Sequence, residues 1–200
     1  MKQRKRGIRR MFAGAMAVLM MLSAVDVSGW GVMNAKAEET AVGTTPQYLT
    51  IGSTKIIDNG KFQNNEVSGN DTIYQGTNWY YDSIENQLVL EGASVSNIRC
   101  LDGDLTVLLF GENNLHQDLA FYSVTSGKKH TLELKGGDNT ASLTGDSDIG
   151  ADGSVPQNLN IIGITIETGD INCGGDLKLE NSRVVAHRIA CGGSLRIGNS

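Results

Sequence analysis

The feature that most constrains the fold is an 18-residue repeat close to the end of the printed sequence. When the segment from Leu159 is laid under those from Leu177 and Leu195, aliphatic residues coincide. The same offset of 18 relates further positions: Ile161, Leu179 and Ile197; Ile166 and Val184; Ile171 and Ile189; Cys173 and Cys191. A period of about 20 residues is typical of solenoid proteins, in which each repeat stacks on the last.

Upstream, the same pattern of leucine, any residue and an aliphatic residue recurs at less regular intervals. It begins at Leu132 and at Leu105, each 27 positions before the next start, and at Leu88, 17 positions before Leu105. We therefore predict stacked units, here called rungs, whose starts are offset by 17, 27, 27, 18 and 18 positions in chain order. Insertions in solenoids lie in loops on one face, so the extra residues of the long rungs are expected in turns.

Short aliphatic or β-branched segments bounded by Gly, Asn and Asp predict strands. They cover residues 48–51, 55–57, 88–90, 105–110, 132–134, 159–166, 177–179, 184–185 and 195–197. No sustained helical period follows residue 37. Because strand side chains alternate between faces, we expect Leu159, Ile161, Ile164 and Ile166 inside, with Asn160, Thr165 and Glu167 outside. This pattern predicts an all-β fold, a parallel β-helix.

An 18-residue coil also suits a left-handed solenoid of six-residue repeats. The six-residue phase through Leu159 reads Leu, Thr, Ile, Leu, Arg, Ile, Leu and is broken at Arg183. The right-handed form is therefore favoured.

The chain opens with a basic stretch, MKQRKRGIRR, and an apolar run from Met11 to about Val25. Ala35 and Ala37 then offer a small-x-small cleavage site before Glu38. The run is shorter than the stretch of about 20 apolar residues that a membrane-spanning helix needs. We interpret residues 1–37 as a cleaved signal peptide that resembles those of Gram-positive bacteria. The protein is expected to be secreted or at the cell surface, and not integral to the membrane.

The remaining chain is short enough for one domain. Residues 38–47 have no apolar period and are expected to be a flexible leader. Residues 48–86 are expected to form an N-terminal β cap, because an open solenoid end exposes unpaired strand edges. Residues 87–200 would form the rungs. The last rung reaches Ser200 without a cap signal, so we expect the solenoid to be truncated there.

Charge excludes several classes of partner. Residues 38–200 carry 10 basic and 21 acidic side chains, a formal net charge of −11. Nucleic acids and anionic membranes are bound through cationic contacts and are disfavoured. An acidic polysaccharide remains compatible, through a local basic column or bridging cations.

Three motifs carry a resemblance to a known family. The pattern W-x-Y-D-x-x-x-N-x-L-x-L-x-G-A runs from Trp79 to Ala93, GDLTVLLFGENNL occupies 103–115 and GGDLKLENS occupies 174–182. With these motifs, residues 48–200 resemble the secreted carbohydrate-binding parallel β-helix proteins of clostridia and related gut Firmicutes. The resemblance implies a pectate-lyase-like fold that binds acidic plant polysaccharide with calcium without cleaving it. It transfers no specific binding residue to this chain.

The residues Trp79, Tyr80 and Tyr81 are candidates for stacking against sugar rings. Because neighbouring side chains alternate, either Tyr80 or the pair Trp79 and Tyr81 would be exposed. The alternative is that these rings plug the end of the solenoid.

A second candidate is an outward column of Asn160, Lys178 and Arg196, placed one above another by the 18-residue register. Arg183 and Arg188 would lie on a neighbouring side of the same rungs. Cations stacked in this way can form ion pairs with successive carboxylates of a uronate polymer. The alternative is a solvated surface ladder.

Asp146, Asp148 and Asp152, in TGDSDIGADG, can offer the oxygen ligands that Ca²⁺ prefers. Their spacing does not match the twelve-residue calcium loop, which ends in Glu. A polar turn in a long rung is the alternative reading, and no cofactor is certain.

No catalytic residue can be named. The aspartates at 102, 104, 170 and 176 lie beside glycine in turn signals, and the histidines at 116, 130 and 187 show no metal spacing. The sequence therefore favours a polysaccharide-binding protein without cleavage. A β-helix lyase or hydrolase and a structural stalk or adhesin are the alternatives.

Cys173 and Cys191 each precede Gly-Gly and fall on adjacent rungs. Parallel side chains in register hold their Cβ atoms farther apart than the about 3.8 Å usual in a disulfide. We therefore expect stacked thiols, with Cys100 in the analogous place of its own rung, and a chain corner at each Gly-Gly.

Overall fold

The computed structural model describes residues 44–63, 73–123, 129–150 and 158–200, and this part of the chain is all-β. Its strands, in chain order, are β1 (Tyr48–Ile51), β2 (Thr54–Asp58), β3 (Lys61–Phe62), β4 (Ile73–Gly76), β5 (Trp79–Asp82), β6 (Gln87–Glu91), β7 (Ser94–Val95), β8 (Ile98–Leu101), β9 (Leu105–Phe110), β10 (Glu112–Leu115), β11 (Leu119–Tyr122), β12 (Thr131–Gly136), β13 (Ser142–Thr144), β14 (Asn158–Ile162), β15 (Thr165–Cys173), β16 (Leu177–Glu180), β17 (Arg183–Cys191) and β18 (Leu195–Gly198). The signal peptide predicted over residues 1–37 lies outside the described residues, as does the leader up to residue 43.

These strands form three sheets. An eight-stranded sheet has the order β18-β16-β14-β12-β9-β6-β5-β4, and two five-stranded sheets have the orders β17-β15-β13-β10-β7 and β11-β8-β1-β2-β3. β6, β7 and β8 lie one in each sheet, as do β9, β10 and β11; from β12 onward the strands alternate between the eight-stranded sheet and the sheet that contains β17. Isolated parallel bridges from Leu119 to Ile149 and from Ile149 to Ile171 connect the two five-stranded sheets.

The predicted leucine column is confirmed by the pairing of the eight-stranded sheet. Leu132 pairs with Leu105 and Leu159, and Leu177 pairs with Leu159 and Leu195, all in parallel register. On the neighbouring sheet Cys173 pairs with Cys191 across β15 and β17. The predicted rung starts from Leu105 to Leu195 are therefore correct on this sheet.

The prediction that the first rung starts at Leu88 and is followed by Leu105 in register is wrong. Leu88 pairs with Val107 and not with Leu105, so the register is shifted by two positions. The buried Asn86 lies beside Leu105 in this register and takes the inward position that leucine occupies in later rungs. Because Asn86 is polar, a search for aliphatic periodicity does not detect this shift in register.

The single strand predicted over 159–166 is also wrong, because it is divided into β14 and β15. Gly163 between them has φ of +64°, a left-handed conformation that ends the extended run and turns the chain onto the next sheet. The prediction that the aliphatic side chains point inward is confirmed on both sides of this turn. The buried residues are Leu159, Ile161, Ile164 and Ile166.

Stacked aliphatic side chains form the core. The columns from all three sheets meet in one cluster that extends from Leu49 to Leu179 and includes fully buried Tyr81 and Phe121. Burial of apolar surface at about 25 cal/mol per Å² is the main stabilising contribution. Nowhere in the described residues does a helix reach the length and apolar character needed to cross a bilayer.

Antiparallel strands flank the first rung. β5 pairs with β6, and β1 pairs with β8, so the region predicted to be a cap covers the edges of two sheets. Residues 44–47, which end the expected leader, also contact this edge. The backbone N–H of Thr44 donates to the carboxylate of Asp104 at 2.6 Å, and that of Gln47 donates to the carbonyl oxygen of Leu101 at 2.8 Å.

The motif that carries the family resemblance serves folding. The hydroxyl of Tyr81 donates to Oδ1 of Asn86 at 2.6 Å, and Nδ2 of Asn86 donates to the carbonyl oxygen of Asp104 at 2.8 Å. Asp82 accepts the backbone N–H groups of Ile84 and Glu85 in the intervening turn. The polar positions of the motif thus connect the antiparallel strands to the second rung.

Candidate functional site

A column of outward polar side chains crosses the eight-stranded sheet. Parallel register places Thr106, Glu133, Asn160, Lys178 and Arg196 side by side on β9, β12, β14, β16 and β18. We call these five residues the polar column. Neighbouring strands are about 4.8 Å apart, so each side chain is separated from the next by about one sugar residue of an extended polymer.

The predicted alignment of Asn160, Lys178 and Arg196 is thus confirmed, whereas Thr106 and Glu133 were missed. The signal for them was present, because each follows a leucine of the inward column by one residue. Extending the register backward would have found both.

Nearby carboxylates partly offset the cations of the column. Lys178 forms an ion pair with Glu180 on the same strand, although its side chain is still 47 % exposed. Asp176 accepts the backbone N–H of Ser194 at 2.8 Å. This hydrogen bond, with the nearby charge of Arg196, lowers the pKa of Asp176. The cations therefore act in an environment of mixed charge.

Arg183 and Arg188 lie on β17, outside the polar column. Arg188 forms an ion pair of 2.7 Å with Asp170, its register partner on β15. Arg183 is exposed and lines a hollow of about 490 Å³ together with Asn181 and Asn199 at the turns that leave the eight-stranded sheet. Of these two arginines, Arg183 is the one without an ion pair among the described residues.

The three adjacent aromatic residues divide between the two faces of β5. Tyr81 is fully buried and Trp79 is 8 % exposed, so both belong to the core. Tyr80 points outward and is half-buried, opposite Val89. Burial raises the pKa of Tyr80, and the charges of Glu91 and Asp82 raise it further. This ring therefore lies in an acidic environment that favours a neutral sugar over a uronate.

An acidic hollow adjoins the polar column near its first residues. It has a volume of about 350 Å³ and is lined by Glu85, Asn86, Asp104, Leu105, Thr106, Thr131 and Glu133. Both carboxylate oxygens of Asp104 accept backbone N–H groups, Oδ2 from Thr44 at 2.6 Å and Oδ1 from Thr131 at 2.7 Å. Asp104 is consequently a structural bridge between rungs, and it is poorly placed to act as a nucleophile or general acid.

Of the proposed calcium ligands, Asp146 and Asp148 lie in the turn region between β13 and β14. Oδ1 of Asp148 accepts a hydrogen bond from the backbone N–H of Asp170 at 2.7 Å. The backbone N–H of Asp148 donates to Oδ1 of Asp118 at 3.1 Å. Asp146 is exposed, and Asp152 lies outside the described residues. Within the described part of the chain, no three His, Cys, Asp or Glu residues are grouped so that they could share a metal ion.

The cysteines and histidines show no catalytic arrangement in the described residues. The thiol of Cys173 donates to the carbonyl oxygen of Asp176 at 3.2 Å, and Cys100 is fully buried, which raises its pKa. His116 shares a hydrogen bond of 2.7 Å with Ser94, whereas His130 is buried. The Gly-Gly corners are crowded, since a Cβ added at Gly192 would lie 2.4 Å from the carbonyl oxygen of Gly174.

The chain matches no protein-family model, no curated protein and no solved structure.

Proposed function

We propose that this chain is a secreted or cell-surface polysaccharide-binding protein, built as a right-handed parallel β-helix with an N-terminal β cap. The parallel pairing of β9 with β12, β12 with β14, β14 with β16, β16 with β18 and β15 with β17, each pair one repeat apart along the chain, supports this architecture, because successive rungs of a solenoid pair only with their neighbours. On this proposal the resemblance to clostridial carbohydrate-binding proteins reflects a shared fold and a shared class of ligand.

The polar column is the observation that carries the proposal. It offers Asn160, Lys178 and Arg196 at one-strand spacing on a rigid sheet, where a linear polymer can contact several rungs at once. Amide and cationic donors suit sugar hydroxyl and carboxylate groups. Glu133 in the middle of the sheet and the carboxylates near Tyr80 toward its other end concentrate acidic charge away from β18, so uronates are expected to bind at the end that carries Lys178 and Arg196.

Binding without cleavage is supported by the use of the carboxylates. A hydrolase of the usual kind needs two carboxyl groups flanking the scissile bond. Asp104 and Asp148 instead accept backbone N–H groups from other rungs, and Asp170 pairs with Arg188. These aspartates stabilise corners of the chain.

A glycan array with and without EDTA tests the function. We expect selective retention of acidic polysaccharides, reduced by salt. Sensitivity to EDTA would indicate that calcium bridges the polymer to the protein. Lys178→Ala combined with Arg196→Ala should weaken binding about tenfold, since each exposed charge contributes about 1 kcal/mol or less.

The matched control exchanges the two cations, Lys178→Arg with Arg196→Lys, and should retain binding because the charge is unchanged. Release of unsaturated uronate, seen as ultraviolet absorbance, would replace the proposal with a lyase. Failure to retain any glycan would favour a structural stalk or adhesin.

A further inference from the structure

Two exposed tyrosines stand in one row on the sheet formed by β11, β8, β1, β2 and β3. Leu101 on β8 pairs with Tyr48 on one side and with Tyr122 on the other, so the three side chains share the outward face. Tyr48 is 38 % exposed and Tyr122 is 41 % exposed. With one strand between them, their Cα atoms are about 10 Å apart.

A basic row lies beside the tyrosines. Arg99 pairs with Thr50 and Ala120, which places its exposed side chain next to Leu101 on the same face. Lys55 lies opposite Thr50 on β2 and forms an ion pair of 2.7 Å with Asp58. Arg99 has no ion pair within the described residues.

Tyr48 and Tyr122 lie on the surface and not in the core. Large rings at half exposure leave apolar area in water, and the outward positions of a sheet do not require them for the core. Two flat rings on either side of β8 offer apolar area against which the CH groups of sugars can stack. Arg99 adds the planar, bidentate donor that matches a carboxylate.

We propose that Tyr48, Leu101, Tyr122 and Arg99, together called the tyrosine platform, form a second binding site for acidic polysaccharide. The polymer would cross β1, β8 and β11, stack alternate sugars on the two tyrosines and place a carboxylate against Arg99. Charge complementarity selects this occupant, since Arg99 is exposed and has no ion pair within the described residues. The inference rests on the proposed function but assigns the ligand to a different sheet.

Affinity for polygalacturonate and for its methyl-esterified form tests the platform. In the Lys178→Ala, Arg196→Ala background, in which the polar column is weakened, Tyr48→Ala with Tyr122→Ala should weaken the remaining binding of both polymers about tenfold, because stacking does not depend on charge. Tyr48→Phe with Tyr122→Phe keeps the rings and should bind within about twofold of wild type. Arg99→Gln should weaken binding of polygalacturonate and spare the esterified polymer.

Unfolding by urea verifies that the variants fold, as expected for half-exposed positions. If the tyrosine-to-alanine changes cause no further loss in the Lys178→Ala, Arg196→Ala background, although that background itself binds more weakly than wild type, the platform is overturned and the proposed function stands. If wild type retained neither polymer, both proposals would fail. A dimer that the tyrosine variant converts to monomer, measured by light scattering, would assign the surface to self-association and also overturn the platform.

Discussion

At the scale of single residues, Asn86 joins the antiparallel strands to the rungs. Its side chain accepts from the hydroxyl of Tyr81 and donates to the carbonyl oxygen of Asp104, and its own φ is +50°. Few residues other than Gly and Asn adopt this left-handed conformation without strain. One side chain therefore satisfies two buried partners and closes a turn.

Asn86→Ala should lower the free energy of unfolding by about 2–4 kcal/mol, because a buried hydroxyl and a carbonyl lose their partner while the φ becomes strained. Tyr81→Phe removes the hydrogen bond to Asn86 and should cost about 1–2 kcal/mol. Urea denaturation measures both. Equal losses in the two variants would show that Asn86 has no role beyond its contact with Tyr81.

The three thiols should differ in reactivity. Cys100 is fully buried and its pKa is raised by desolvation and by the charges of Asp104 and Asp102, whereas Cys191 is partly exposed. Since the thiolate is the nucleophile, an alkylating reagent at mildly alkaline pH should label Cys191 first and Cys100 only on unfolding. Peptide mass spectrometry gives the order. Rapid labelling that persists in Cys191→Ser would contradict this assignment.

The alternation of Trp79, Tyr80 and Tyr81 was predictable from period two, but which face was exposed was not. Both faces carry aromatic residues, and only the pairing of β5 with β6 decides the matter. Tyr48 and Tyr122 were not identified from the sequence because they are 74 positions apart. Their proximity depends on β8 pairing with both β1 and β11.

At the scale of strands, leucines of the same sheet have opposite surroundings. Leu159 on β14 is fully buried, and Leu108 on β9 points outward and is half-buried. Leu159→Ala should lower the free energy of unfolding by about 2–5 kcal/mol, as for other buried leucines. Leu108→Ala should cost about 1 kcal/mol or less. Similar losses measured by urea denaturation would contradict the assigned inward and outward faces.

The rungs with the regular 18-residue period were predicted with correct register, because each inward position holds an aliphatic residue. Prediction failed where another residue type takes the inward place, as Asn86 does in the first rung, or where a left-handed residue such as Gly163 breaks a strand. Short strands such as β7 and β10 were missed, since so few residues carry too little periodicity. The alternation of apolar and polar side chains in the sequence predicts long strands. The corners depend on the backbone conformation of single residues, which this alternation does not show.

At the scale of the whole molecule, export can be tested directly. A Gram-positive host expressing the full sequence should release a protein that begins at Glu38, because Ala35 and Ala37 fit the small-residue positions of a signal peptidase site. Ala35→Lys with Ala37→Lys should block processing. Ala41→Lys, placed just beyond the site, should not. N-terminal sequencing of the secreted protein checks the boundary, and an uncleaved wild-type chain held in the membrane would contradict it.

Charge is distributed unevenly along the rungs, which matters for the choice of ligand. The acidic hollow with Glu85 and Glu133 lies toward the first rungs, whereas Lys178, Arg183 and Arg196 lie on the last. An acidic polymer should therefore avoid one end of the eight-stranded sheet and contact the other. The aspartates at turns, such as Asp104 and Asp148, add to the net negative charge and also accept backbone N–H groups.

Binding of polysaccharide without cleavage can be tested by following the fate of a bound ligand. An oligogalacturonide of defined length is retained on the immobilised protein, eluted with salt and weighed by mass spectrometry. We predict saturable retention and recovery of the oligosaccharide at its original mass. Failure of the protein to retain it, or recovery of shorter unsaturated fragments, would contradict the account.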